Sequence, residues 1–349
     1  MISLVFSLFG HVLRKATILI AVLVPVASVA HDSPPVITQE VIATGLQGAQ
    51  GSAIGPYGNL YVTEGAAGRI SKINRWTGEV ATFHEGGLPA AFLPIGGVVD
   101  VVFVHKQAYA LVTLVGEFDA GVDGIYRIDG PDKATLIADL GAFSAANPPE
   151  TDYFLNNGVF YALEAYDGGF LVTDGHHNRV LKVSKYGHIS IFRSFDNIVP
   201  TGLETYDDAV FMAQAGPIPH GAENGRIVAF WPKLPFVSEV AAGAPLLVDV
   251  ELGRDHTLFG LAQGIWPHDP DNPDNAGMPA APGTGSLVKV NADGGFDIVV
   301  EQVNLPTSLE IIGNDAYVVS LAGEVLKISN VLPYRWRLYP NFYYHNKKH

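Results

Sequence analysis

The chain has 349 residues, of which 48% are hydrophobic and 16% charged, and its formal net charge is −14. That composition can bury a large core, which excludes a disordered chain, and the acidic surface repels a phosphate backbone, which argues against nucleic acid as a partner. The absence of cysteine excludes disulfides, thiolate metal sites and cysteine nucleophiles.

The first segment in chain order reads as an export signal. Arg14 and Lys15 precede the apolar run ATILIAVLVPVASVA, which closes on the small residues Ser28 and Ala30. Positive charge, a short apolar run and a small-residue site predict cleavage after Ala30 and an extracytoplasmic location, periplasmic or secreted. The run is shorter than the roughly 20 residues that span a bilayer, so no stable transmembrane span is expected after cleavage. The apolar stretch MISLVFSLFGHVL ahead of the charges leaves an uncleaved anchor as the alternative.

Residues 31–330 repeat one unit. YGNLYVTEGAAGRISKINRWTG (residues 57–78) aligns with DGGFLVTDGHHNRVLKVSKYG (residues 167–187). Leu60 matches Phe170, Val62-Thr63 matches Val172-Thr173, Glu64-Gly65 matches Asp174-Gly175, and Arg69-Ile70 matches Arg179-Val180. Weaker copies lie at residues 207–232 and 314–330. Another, with a long insertion, joins HTLFGLAQG to GTGSLVKVNADG, and the most divergent joins QAYALVTLVG to DGIYRIDG. Six units at a spacing of roughly 50 residues fall in the range of propeller blades.

Each unit carries a strand before and after its hairpin. Inner candidates are GSAIG, VVDVVFV, GVFYALE, TGLETY, LLVDVEL and SLEIIG; outer ones are EVATFHE, ATLIADL, HISIFRS, FVSEVAA and FDIVVEQ. β-Branched and aromatic residues bounded by Gly, Pro, Asn and Asp read as strands. The fold class is therefore all-β: a six-bladed β-propeller of four-stranded antiparallel sheets. EVIATGL (residues 40–46) precedes every inner strand, and the last unit lacks an outer strand, so the N-terminal strand is expected to complete the last blade and close the ring. The segment 331–349 leaves the repeat as an aromatic and basic tail, read as a strap or frayed end, or as a contact to membrane or partner.

The stretches GLQGAQGSAIGPYGNLYVTEG and DGGFLVTDGHHNRVLKV resemble the ScyD/ScyE family, exported bacterial propellers related to NHL-repeat and SMP-30/gluconolactonase-type proteins and associated with scytonemin biosynthesis. The resemblance spans roughly residues 37–329. It implies a six-bladed propeller and little defined chemistry. This chain has Gln50 where the family has proline before the first inner glycine, and Asn156-Asn157-Gly158-Val159 where the family has an Asn-Pro-Tyr-Gly-Val pattern. In gluconolactonase-type propellers a glutamate at the first inner strand helps Asn and Asp hold a divalent ion. Gln50-Gly51-Ser52 stands there in this chain, which weakens metal-assisted lactone hydrolysis.

Candidate ligand-binding residues at the channel mouth are Gln50, Asp100, Asn157, Thr201 and Thr307 near inner-strand starts, with Glu64, Asp174 and His176 in the hairpin links. The bland alternatives are strand-end capping for the first group and turn-closing hydrogen bonds for Glu64 and Asp174. Metal candidates are Asp174 with His176, whose imidazole and carboxylate suit a transition metal. HDPDNPDN (residues 268–275) offers the oxygens of Asp269, Asp271 and Asp274, suited to calcium but without EF-hand spacing. His220 and His268 sit in long insertions. No G-x-S-x-G elbow is present, and Ser52 and Ser308 have no assignable base. The residues specify no cofactor with certainty; a divalent cation, calcium, is the one considered. The expected function is an exported binder of a small molecule or protein partner, linked through the resemblance to secondary-metabolite handling. The alternatives are a divergent metal-dependent lactonase and a structural scaffold.

Overall fold

The computed structural model describes residues 36–151, 157–267 and 278–332. After β1 (Thr38–Ala43), blade 1 comprises β2 (Ala49–Ile54), β3 (Leu60–Glu64), β4 (Arg69–Ile73) and β5 (Val80–Glu85). Blade 2 comprises β6 (Gly97–Val104), β7 (Gln107–Thr113), β8 (Gly124–Ile128) and β9 (Ala134–Asp139), followed by the helix α1 (Leu140–Ala146). Blade 3 comprises β10 (Phe160–Tyr166), β11 (Gly169–Asp174), β12 (Arg179–Ser184) and β13 (Ile189–Ser194). Blade 4 comprises β14 (Pro200–Tyr206), β15 (Ala209–Gln214), β16 (Gly225–Phe230) and β17 (Val237–Ala244). Blade 5 comprises β18 (Leu247–Leu252), β19 (Leu258–Ala262), β20 (Gly285–Val290) and β21 (Phe296–Val303). Blade 6 comprises β22 (Pro306–Ile312), β23 (Asp315–Ser320) and β24 (Glu324–Ser329).

Each blade is a four-stranded antiparallel sheet, and β1 supplies the fourth strand of blade 6, pairing Thr38 with Ser329 and Glu40 with Lys327. The expected closure is thus present, two residues earlier than the sequence placed its start. Inner strands pack on their neighbours in succession around the ring, and β22 packs on β2. This is the six-bladed propeller expected from the repeat.

Among the described residues, six apolar clusters lie one between each pair of adjacent blades, and a smaller seventh of Val199, Ala215, Leu246 and Ala280 lies at the inner-strand entries. Val99, Leu111 and Ile125 of blade 2 meet Phe160, Phe170 and Leu181 of blade 3, for example. Tyr317, Val319 and Val325 of blade 6 meet Leu60, Val62 and Ile73 of blade 1 across the closure. The alternation that buries both faces of a blade against its neighbours leaves the inner strand edge for the channel. The helix α1 was not expected. Its signal is Asp139, whose carboxylate caps the Ala142 N–H at 2.8 Å ahead of LGAFSAA.

The entries to the inner strands share one backbone device. The carbonyls of Gly48, Val159, Val199, Leu246 and Leu305 each accept the N–H that follows a blade's second strand. Val199, Leu246 and Leu305 adopt left-handed φ of 47°, 45° and 46° to do so, where blade 1 has Gly48 at 61°. Side chains at such φ cost of order 1–3 kcal/mol, sustained by the surrounding packing.

Candidate functional site

The inner strands begin at what we term the upper mouth of the channel and run to the turns at the lower mouth. Three of the polar residues expected at the upper mouth are committed to strapping neighbouring blades. Gln50 donates to the Gly96 carbonyl at 2.8 Å and accepts the Gly96 N–H at 3.0 Å, tying blade 1 to blade 2. Thr201 donates its hydroxyl to the Leu247 carbonyl at 2.9 Å, tying blade 4 to blade 5. Thr307 Oγ1 donates toward the Val319 carbonyl at 3.2 Å and lies 3.5 Å from the Ala49 carbonyl of blade 1. Asn157 is exposed and lines a cavity of about 350 Å³ between the links of blades 2 and 3, with Glu117, Asp123 and Asp139.

Glu64 and Asp174 hold equivalent hairpin links. Glu64 receives Arg69 Nε and Nη2 at 2.8 Å each, the Ser71 hydroxyl at 2.6 Å and the Gln47 N–H at 2.7 Å. Burial raises its carboxyl, but the bonds from Arg69, Ser71 and Gln47 outweigh this and hold it below the usual range. Asp174 is fully buried, with Arg179 Nε at 2.9 Å and the Ser144 hydroxyl at 3.0 Å. Arg179 also donates to the Asn147 carbonyl at 2.6 Å and bonds the His177 ring at 3.0 Å. These acids face arginines inside the protein and are not presented to a ligand.

His176 is half-buried. Burial pushes its imidazole down to about 4, against the pull of Asp174 and a bond to the Asn157 backbone, so it is neutral at pH 7. Burial also lowers His220, which bonds the Gly216 carbonyl at 3.1 Å and meets Trp266 edge-on at 5.1 Å between ring centroids. Tyr161, packed over Gly175, is raised to about 12 by burial and then by Asp174. Tyr161, His176, His220 and Trp266 thus make the upper mouth beside blades 3 to 5 aromatic, with Glu223 exposed in the same link as His220. Among the described residues, no three His, Asp or Glu side chains are placed to hold one metal ion. Asp269, Asp271, Asp274 and His268 lie outside the described residues.

Deeper in the channel the chemistry changes. Gly51, Asp100, Ala162, Gly202, Asp249 and Ser308 occupy one tier, as their ladder of bonds to the next blade shows. Asp100 Oδ2 accepts the Leu163 N–H at 2.7 Å, Asp249 Oδ2 accepts the Leu309 N–H at 2.8 Å, and Ser308 Oγ accepts the Ser52 N–H at 3.1 Å. Blades 2 and 5 stand opposite each other in a six-membered ring, so the two aspartates do too. Gly51 and Gly202 have room for no side chain: a Cβ would lie 2.6 Å from Asp100 Oδ1 or 2.5 Å from Asp249 Oδ1.

Two residues further down, the next tier reads Ala53, Val102, Glu164, Glu204, Glu251 and Glu310. Their partners across the first hairpin are Tyr61, Tyr109, Leu171, Phe211, Phe259 and Tyr317, which fixes the equivalence. Four glutamates on four consecutive blades face one channel. All are half-buried. Burial pushes Glu251 well above the usual carboxylate range, and Glu310, Glu204, Asp249 and Glu164 push it further. Glu310 rises for the same reasons: burial first, then Asp249, Asp100, Glu204 and Glu164. Burial carries Asp249 to about 7 and Asp100 well above its usual value, although both accept backbone N–H groups. Like charges at close quarters favour partial protonation, or a cation that neutralises them.

The sequence reading named Asp100 but missed Asp249 and all four glutamates. The signal was legible in the aligned runs ALE, GLE, VE and SLE at residues 162–164, 202–204, 250–251 and 308–310.

No family model matches the chain, and no curated protein matches it. Among solved structures, it is similar to a gluconolactonase from Xanthomonas campestris, at 13% identity and TM-score 0.57 over 84% of this chain and 89% of that one. It is also similar to the PQQ-bound aldose sugar dehydrogenase from Streptomyces coelicolor, at 13% identity and TM-score 0.56 over 85% and 99%. Virginiamycin B lyase from Staphylococcus aureus aligns at 14% identity and TM-score 0.51 over 84% and 98%. At these identities the likeness shows the fold, and the neighbours include gluconolactonase-like propellers. The divalent-ion set of the gluconolactonase kind does not fit here: Gln50 supplies no carboxylate, and both ends of its amide are bound to Gly96. No helix among the described residues is long and apolar enough to cross a membrane.

Proposed function

We propose that the protein is an exported binding propeller that takes up a small organic cation, an amine-bearing molecule or polyamine, in its central channel. The observation that carries this reading is the tier of Glu164, Glu204, Glu251 and Glu310 beneath Asp100 and Asp249. The carboxylates are distributed around a channel instead of converging on a point, which suits ammonium groups spaced along a ligand better than one bare metal ion. The aromatic rings of Tyr161, His176, His220 and Trp266 at the upper mouth offer the apolar part of such a ligand a place to rest. Arg14, Lys15 and the apolar run after them support an extracytoplasmic location. The likeness of residues 37–329 to ScyD/ScyE proteins supports a role in handling a secondary metabolite there.

Calorimetric titration with spermidine, simple aromatic amines and calcium tests the reading. Saturable binding of an amine at about pH 8 that weakens near pH 5 is expected, because protons and cations compete for the same carboxylates. Retention of full amine affinity in the Glu251→Gln/Glu310→Gln variant would overturn it.

A further inference from the structure

We infer that the upper end of the seam between blades 3 and 4 is a binding site in its own right, which takes an uncharged aromatic ligand bearing an amide or lactam group and holds it through Gln214. The repeat itself exposes the departure. Gln214 ends β15 as Glu64 ends β3 and Asp174 ends β11, and Arg226 stands opposite it where Arg69 and Arg179 stand in those blades. In blades 1 and 3 the acid and the arginine bind each other. In blade 4 Arg226 turns outward and binds Glu239 on the next strand. Gln214 stays inside, 4% exposed, and its carboxamide meets no hydrogen-bond partner among the described residues. Leaving both ends of a buried amide unpaired costs free energy, and native proteins seldom do so.

The surroundings say where that amide points and what else is on offer. Val210 and Met212, earlier on the same face of β15, pack into the seam between blades 3 and 4, and the period of two sends Gln214 into its upper end. The facing wall is the link of blade 3. Asn178 Oδ1 accepts the Ile198 and Val199 N–H groups at 2.9 Å each, and the Val199 carbonyl accepts the Ala215 N–H at 3.0 Å, so Asn178 and Gln214 meet around one backbone segment. Asn178 is also 4% exposed, and its Nδ2 has no acceptor among the described residues. Tyr161 packs on Val199, Ala215, Leu246 and Ala280, and its hydroxyl has no partner among the described residues. The amide of Gln214 is not sealed in: among the described residues, His84 Nε2 is the side-chain atom that is both sealed from solvent and unpaired.

These groups define the ligand. Gln214, Asn178 and Tyr161 offer donors and acceptors but no charge; Asp174, at the same level of blade 3, is taken up by Arg179, and Glu223 is exposed in the blade 4 link. A carboxamide pairs best with a group that presents an acceptor and a donor side by side, which an amide or lactam does. A flat ring suits the apolar floor under Tyr161 and the His220–Trp266 pair at the rim. A charged ligand would lose water against Gln214, Asn178 and Tyr161 without gaining a counter-ion there.

Saturation-transfer NMR of the full chain with benzamide tests the site. N,N-dimethylbenzamide is the comparison, because it keeps the ring and the carbonyl but has no N–H to donate. Saturable binding of benzamide, about tenfold tighter than that of its dimethyl analogue, is the expected result. Gln214→Met keeps the length of the side chain and should abolish that preference. The same variant should melt at the wild-type temperature or above it, because an unpaired amide gives way to an apolar group. A lower melting temperature would show that the protein itself holds the carboxamide, and the inference would fall. It would fall equally if benzamide did not bind saturably, if the wild-type protein bound both compounds alike, or if the preference survived in Gln214→Met. Both probes are uncharged, so such a failure leaves the role proposed for the channel carboxylates standing.

Discussion

Arg179 and Asp174 face each other across the hairpin link of blade 3, with Nε 2.9 Å from Oδ2 and both side chains shut off from solvent. Glu64 and Arg69 make the same pair in blade 1 with the arginine partly exposed. Removing one partner of a buried pair leaves an uncompensated charge, at a cost of about 3–5 kcal/mol. Asp174→Asn and Arg179→Met should each lower the unfolding free energy by an amount in that range, read as a fall in the urea midpoint. The double variant should recover part of the loss, because no stranded charge remains. Asp174→Asn unfolding at the wild-type midpoint would contradict the pair's role.

Ring closure makes a separate prediction. Among the described residues, the strand β1 is all that pairs with the outer edge of β24 in blade 6. Deleting residues 36–43 should expose the β24 edge and the apolar surface under Ala43 and Val325. Light scattering of the deleted protein should show association, and its thermal unfolding should lose cooperativity. A monodisperse truncated protein with an unchanged transition would refute this.

The glycines of the aspartate tier are there for space. In Gly202→Ala the new Cβ would lie 2.5 Å from Asp249 Oδ1 and 2.6 Å from its Cα, so the neighbouring backbone must move. A loss of about 1–3 kcal/mol is expected from overpacking, read as a fall in the denaturant midpoint. Gly313→Ala serves as a control with nothing near its Cβ, although its φ of 64° carries some strain of its own. The Gly202 variant should cost more than the control.

The pH dependence follows from the sign of the shifts. Asp249 is raised to about 7 and Glu251 and Glu310 lie well above their usual values, so the native state keeps protons that the unfolded chain releases. Stability from these groups is fully present below about pH 4 and is lost as pH rises through about 7. Glu64, which is lowered, acts the other way and loses its contribution as the solution becomes acid. Glu251→Gln and Glu310→Gln should therefore stabilise the protein by about 1 kcal/mol near pH 8 and by little near pH 4. Melting temperatures measured across that interval check the slope, and a gain independent of pH would show that the repulsion is not its source.

How much of this was legible beforehand differs from residue to residue. Matching Glu64 with Asp174 and Arg69 with Arg179 located the hairpins, and the surplus strand at residues 40–46 foretold the closure. Gln50, Thr201 and Thr307 were found as inner-strand residues, but their straps to Gly96, Leu247 and Val319 depend on the geometry between and within blades, which no local pattern states. Ser144 and Asn147 could not be joined to Arg179 on paper, because α1 brings them across more than thirty residues.

The sequence by itself determined the blade: period-two burial and turn residues act over a few neighbours, and their sixfold recurrence leaves few architectures besides a ring. Only the tertiary structure decided the channel. Glu164, Glu204, Glu251 and Glu310 are separated by some forty to sixty residues along the chain, and each strand alone shows one ordinary glutamate. The raised protonation of Glu251 and Glu310 arises from lost water and then from the other carboxylates around a common axis, and that axis exists once six blades have closed on β1.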